Sequence, residues 1–211
     1  DFGTDFADSG HLNVRGAEKV SRYLAEYLEA NYDLPDHRGD PAYDSWTESA
    51  RHFANITTLQ SRSEILPFIE AAAHKDLVTV ILSGGAMETP AEVPDEVKEA
   101  FRNAGLTAFP AVIGEGVYYA VIQDGKVILE NYRRSGILTD EFMVKDLKMS
   151  LRVSGREPDG GSFMTALYIE KGGYSSVEPG MLAVIWDMDR MEIVDAVRYA
   201  SDGTLSVTHL K

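Results

Sequence analysis

Leu77-Val78-Thr79-Val80-Ile81-Leu82 limits what this chain can fold into more than any other segment. It is an unbroken β-prone run, and a strand of this kind is buried on both faces. Two covers are therefore needed. Helices expected at about Ser63 to Ala73, and after Pro94 through Val97, Ala100 and Phe101 to Gly105, supply one of them. The other has to come from farther along the chain, where the residue pattern changes from helical period to strand period.

That later part reads as antiparallel β structure. Val117 to Ile122, the tight turn Gln123-Asp124-Gly125-Lys126 and Val127 to Asn131 predict a hairpin, because Asp-Gly supplies the positive φ angles such turns require. Further strands are expected at Leu147 to Val153, Phe163 to Glu170 and Met181 to Trp186. Asp187 to Arg190 should turn the last of these back into Glu192 to Tyr199, and Thr204 to Leu210 is the final candidate. Gly155 to Gly161 reads as a turn between strands.

The other end is helical. Asn13 is a good N-cap, and Val14, Ala17, Val20, Leu24, Tyr27 and Leu28 recur at helical steps to about Ala30. Two prolines and a glycine between Asp33 and Pro41 then favour an extended connection, followed by a helix at about Asp44 to Ala54. The expected division is residues 1–43 and 44–211, with every element of the later unit present from residue 56 onward.

Composition narrows the function. Of 211 residues, 44% are hydrophobic, enough for a packed core. The net charge of −14, without a run of Lys or Arg, argues against nucleic acid as a partner. Absence of cysteine removes disulfides, thiolate nucleophiles and Cys-ligated zinc, and no metal or cofactor is expected. The longest apolar runs are far short of the roughly 20 residues a membrane-crossing helix needs. Because the chain opens on Asp1 without a signal-peptide pattern, it is expected to be a piece of a longer protein, with any targeting segment upstream.

One segment has catalytic chemistry. In Asp8-Ser9-Gly10-His11, a carboxylate three residues before a histidine can reach the imidazole, fix its tautomer and stabilise the cation formed when the ring takes a proton. On spacing alone, a surface turn that caps a helix is the commoner meaning. The longer run from Asp8 to Val20 resembles the last conserved block of SGNH/GDSL hydrolases, D-x-x-H-x-N-x-x-G, which precedes the C-terminal helix of a flavodoxin-like three-layer α/β domain. This resemblance covers about the first 32 residues. It implies that His11 is the catalytic base and Asp8 its orienting acid. The family's G-D-S nucleophile block and its oxyanion-hole Gly and Asn do not occur in the sequence, so this stretch of chain is expected to be inactive on esters.

The remainder resembles the ILEI or PANDER-like domain, a β-sandwich with flanking helices. Gly180 to Asp187 with Ile193 to Tyr199 is similar to its first half, and Ile65 to Ile69, Leu77 to Leu82, Val97 to Gly105 and Tyr118 to Ile122 to its second. The halves stand in reversed order, as a circular permutation with Arg133 to Lys145 as the new linker would leave them. The fold class expected is thus α/β in the α+β sense. Such domains include a sugar-binding module, which implies Trp186, Tyr199, Tyr118 and Tyr119 as candidate ligand-binding aromatics. Core or sheet filler is the ordinary role of aromatics in strands.

Together these readings give the C-terminal portion of a bacterial SGNH-type esterase or acyltransferase acting on O-acyl groups of a cell-surface glycan, in an extracytoplasmic or cell-envelope setting. Its partner is then a glycan or acylated polysaccharide. The alternatives are a glycan- or protein-binding module without catalysis, and a sandwich that serves as spacer or dimerisation element. His37, His52, His74 and His209 lack metal-ligand spacing and are expected to be surface or helix residues.

Overall fold

The computed structural model describes residues 2–6, 8–74, 76–84, 91–109, 111–113, 116–155, 164–169, 172–176, 180–199 and 205–210. It has two compact units, Asp1–Thr57 and Thr58–Lys211, and combines helices with antiparallel sheets in an α+β architecture.

The first unit contains α1 (Phe2–Asp5), α2 (Val14–Asn31) and most of α3 (Asp44–Gln60), within which the division falls. Asn13 caps α2 as its residue type dictates: its side chain accepts from Gly16 N–H at 3.0 Å. Among the described residues of this unit only Asp5, Gly16 and His52 are buried. Its described residues form helices without an apolar centre.

The second unit is built otherwise. After α4 (Ile65–Ala72) come β1 (Leu77–Gly84), the two-residue β2 (Ala91–Glu92), α5 (Asp95–Asn103) and the two-residue β3 (Val112–Ile113), which pairs with β2. The remaining strands are β4 (Val117–Gln123), β5 (Lys126–Arg133), β6 (Ile137–Val144), β7 (Leu147–Ser154), β8 (Met164–Ile169), β9 (Gly172–Ser176), β10 (Gly180–Asp187), β11 (Ile193–Tyr199) and β12 (Thr208–His209). Two main sheets result, ordered β12-β11-β10-β1-β4-β5 and β6-β7-β8-β9.

β1 finds both of its covers. Val78, Val80 and Leu82 share one buried cluster with Val121, Met149, Leu151, Val153, Val184 and Trp186, so the two sheets pack face to face. On the opposite face Thr79 is buried toward α4 and donates its hydroxyl to the carbonyl of Ala72 at 2.6 Å, which satisfies a polar group in an apolar setting. At the end of β1 the sheets come so close that a Cβ on Gly84 would lie 3.0 Å from the carbonyl oxygen of Ser154. The expected contact between β1 and the strands of 147–199 is present, β1 and β10 pairing along their whole length from Leu77↔Asp187 to Gly84↔Gly180.

Both expected hairpins form. Asp124 and Gly125 have φ of 52° and 70°, the pair of positive values that lets a two-residue turn match strand twist. At the other hairpin the Asp187 carboxylate accepts from the N–H groups of Asp189 and Arg190 at 2.9 and 3.0 Å, folding β10 back onto β11.

The expected linker at Arg133 to Lys145 is not a linker. Residues 137–144 form β6, paired with β7 from Ile137↔Ser154 to Val144↔Leu147, and Leu138, Phe142 and Val144 enter the core at every second or fourth position. The helix at Asp44 continues to Gln60, where Leu59 is buried. The final strand narrows to Thr208–His209. Residues 156–161 of the expected turn, the outer ends Phe163 and Glu170 of one expected strand, and Thr204 lie outside the described residues.

Candidate functional site

The Asp8–His11 pair sits on a short excursion of the chain between α1 and α2. Its base is pinched together by a β-bridge between Phe6 and Leu12 and by a hydrogen bond of 3.0 Å from Asn13 N–H to the carbonyl of Asp5. The Asn13 side chain works in two directions, capping α2 through Oδ1 and donating Nδ2–H to the Thr4 carbonyl at 3.0 Å. Gly16 is buried at this junction, where a Cβ would stand 2.0 Å from the Asp5 carbonyl oxygen, so any other residue would force α1 away from α2.

On this frame Asp8 Oδ1 accepts from the N–H groups of Gly10 and His11, both at 2.9 Å, while His11 Nδ1 lies 2.9 Å from each carboxylate oxygen. The Gly10 N–H bond, followed by the His11 ring and the His11 N–H, holds the Asp8 carboxyl below the usual carboxylate range. A neutral imidazole facing a carboxylate through Nδ1 carries its proton there, which leaves the Nε2 lone pair as the base. The site is open: the His11 and Asp8 side chains are 82% and 59% exposed. A carboxylate and an exposed imidazole are therefore in contact, within the reach that the three-residue spacing allows. Ser9 lies in the spacer, and among the described residues no nucleophile is hydrogen-bonded to His11.

The four candidate aromatics have a different setting. Tyr118, Tyr119, Trp186 and Tyr199 are all buried. Tyr118 and Tyr119 are neighbours on β4, so their rings point to opposite faces, and both faces of this central strand are covered. Tyr118 packs edge-on against Phe109 and donates to Glu130 at 2.9 Å; burial raises its phenol far above the ordinary tyrosine value. Tyr119 joins Trp186 in the inter-sheet core and donates to Asp140 at 2.5 Å. Stacking on a sugar needs an uncovered ring face, and these rings have none to offer. They sit as core residues, the ordinary place of aromatics in strands.

A second histidine–aspartate pair went unread in the sequence. His209, in β12 and not on an open surface or helix, places Nδ1 2.8 Å from Asp195 Oδ2 and Nε2 2.9 Å from the carbonyl oxygen of Arg62. Only the pairing of β11 with β12 brings these residues together, so no local spacing could signal it. Both ring nitrogens face acceptors, and the imidazole must donate from both to satisfy them. The hydrogen bond to Asp195 accordingly raises the His209 pKa above the ordinary histidine value, against the opposing effect of burial. With both ring nitrogens engaged by protein oxygens, His209 has a structural setting and no nitrogen facing solvent chemistry. His37 stacks on Tyr43 with ring centroids 4.2 Å apart, and His52 is buried in α3. Among the described residues no cluster of three or more His, Asp or Glu is arranged to hold a metal ion, and no helix is long and apolar enough to cross a membrane.

No protein-family model matches the chain, and no curated protein and no solved structure is detectably similar to it.

Proposed function

We propose that the chain is the C-terminal portion of an SGNH/GDSL-type esterase or acyltransferase acting on O-acyl groups of a cell-surface glycan in an extracytoplasmic setting, carrying an accessory ILEI-like domain. The observation that carries this reading is the Asp8–His11 geometry: Nδ1 engaged by a carboxylate, the ring exposed, and the loop fixed at its base by Asn13 and Gly16. A surface turn that merely caps α2 needs Asn13; it has no use for a carboxylate directed at an imidazole. The exposed apolar stripe of Val20, Leu24 and Tyr27 on α2 supports the same reading, because in a three-layer α/β domain the helix after this block packs on a sheet.

His11 is the general base and later the general acid, Asp8 holds its tautomer, and a serine outside this sequence is the nucleophile. For the second unit, the pairing of β10 with β11 beside β1 supports an ILEI-like arrangement, in which 58–211 is an accessory module with its own core. The glycan preference then belongs to the acyl-transfer site, since the four buried aromatics contribute none.

The test has two arms. The 211-residue chain should not turn over p-nitrophenyl acetate, and turnover abolished by His11→Ala would overturn the assignment of an external nucleophile. In a longer protein carrying a G-D-S block upstream, His11→Ala should lower kcat by several orders of magnitude and Asp8→Asn by less. Equal activity of His11→Ala and wild type there would reject the role of His11.

A further inference from the structure

The loop bearing Asp8 and His11 is fastened by an ion pair that lies outside the D-x-x-H block. Asp5 is the last residue of α1, and its carboxylate is almost wholly covered, with 9% of the side chain exposed. Lys19, on α2 a turn beyond the capped end, places Nζ 2.7 and 2.9 Å from the two Asp5 oxygens. The Asp5 main chain serves the same junction, its carbonyl accepting from Asn13 N–H and lying where a Gly16 side chain would intrude. One residue thus ties the start of the excursion to its end through the backbone, and to the body of α2 through its carboxylate. Asp8 to His11 lie on the stretch that these contacts and the Phe6–Leu12 bridge close.

The Asp8–His11 pair itself has no comparable support. Both side chains are largely in solvent, where a carboxylate–imidazole contact is screened and costs side-chain entropy to hold. Local N–H groups of Gly10 and His11 orient Asp8, but only while the turn keeps its shape. A catalytic constellation must be held to within about 0.5 Å by the groups behind it. At this site the groups behind it include the Asp5–Lys19 ion pair, beside Asn13 and Gly16.

We propose that Asp5 and Lys19 are positioning residues for the His11–Asp8 pair, their ion pair closing the base of the loop so that the imidazole keeps its Nδ1–H on Asp8 and presents Nε2. The proposal rests on the reading of His11 as a general base, and it concerns the site's geometry, not its substrate. Lys19 reaches no reacting atom; it acts only through the loop.

The experiment is nitrogen-15 NMR of the His11 ring in the whole 211-residue chain, recorded where the imidazole is neutral, which reports the two tautomers directly. Wild type should show mainly the Nδ1–H form. Lys19→Met should lower that population by about twofold or more, while Lys19→Arg, which keeps the cation, should preserve it. Asp5→Asn, which keeps the shape of the side chain and removes its charge, should behave as Lys19→Met does. An unchanged tautomer ratio in both charge-removing variants overturns the positioning role while leaving the reading of His11 as a base intact. A wild-type ring already in the Nε2–H form overturns the base reading itself. Loss of α2 helicity in both variants also overturns the proposal, since the pair would then be holding the helix and not the loop.

Discussion

His11–Asp8 and His209–Asp195 have almost the same contact, 2.9 Å and 2.8 Å, and opposite surroundings. The first pair stands in solvent on a loop; in the second the Asp195 side chain is wholly buried and that of His209 is 23% exposed. The second ring nitrogen separates their roles. In His11 it is available as a base, whereas in His209 it is spent on the Arg62 carbonyl. A short distance between imidazole and carboxylate is therefore not a catalytic signature until the other nitrogen is accounted for.

Removing the acid should expose this difference most strongly. Asp195→Ala leaves His209 without its buried counter-charge and should cost the second unit about 2–3 kcal/mol, read from urea unfolding, the partial exposure of His209 keeping the loss below the usual range for buried pairs. Asp8→Ala should change stability by less than about 0.5 kcal/mol. Similar costs for both would erase the distinction. A smaller effect follows from pH. Because the folded pKa of His209 is raised, its contribution is whole below the unfolded value near 6.5 and is lost as pH rises through the folded pKa. The gap in Tm between wild type and His209→Gln should accordingly shrink from pH 6 to pH 9. Asn13→Ala should cost about 1 kcal/mol of α2 stability, visible as helix loss by circular dichroism, because it deletes both a cap and the bond to Thr4. The smallest effect belongs to His11→Ala, expected within about 0.5 kcal/mol of wild type by thermal unfolding, because its largely exposed side chain fills no core position.

Whatever depended on neighbours in sequence was legible there. The cap at Asn13, the three-residue reach from Asp8 to His11 and the Asp124-Gly125 turn each involve residues within one or two turns of chain, and their chemistry acts locally. The burial of β1 could be read from its composition. β6 was obscured because Thr139, Asp140 and Glu141 interrupt its apolar positions, although Leu138, Phe142 and Val144 keep the strand period. β9, Gly-Gly-Tyr-Ser-Ser, has almost no strand-forming side chains and exists because β8 offers it a ladder. The burial of the four aromatics is not legible for a related reason: the alternation that marks a strand does not say whether its outer face meets water or a second layer. Asp195 and His209 are joined only by strand order.

The position of β1 in its sheet also sets a schedule for synthesis. One edge of this wholly buried strand pairs with β4, which leaves the ribosome about 40 residues later; the other must wait for β10, about 100 residues later. At roughly 5–20 residues per second, that second edge stays unpaired for about 5–20 s in the nascent chain. During that interval Leu77 to Leu82 is a template for any passing strand, so the yield of folded protein is expected to depend on elongation rate and on whatever shields this edge until residues 180–187 arrive.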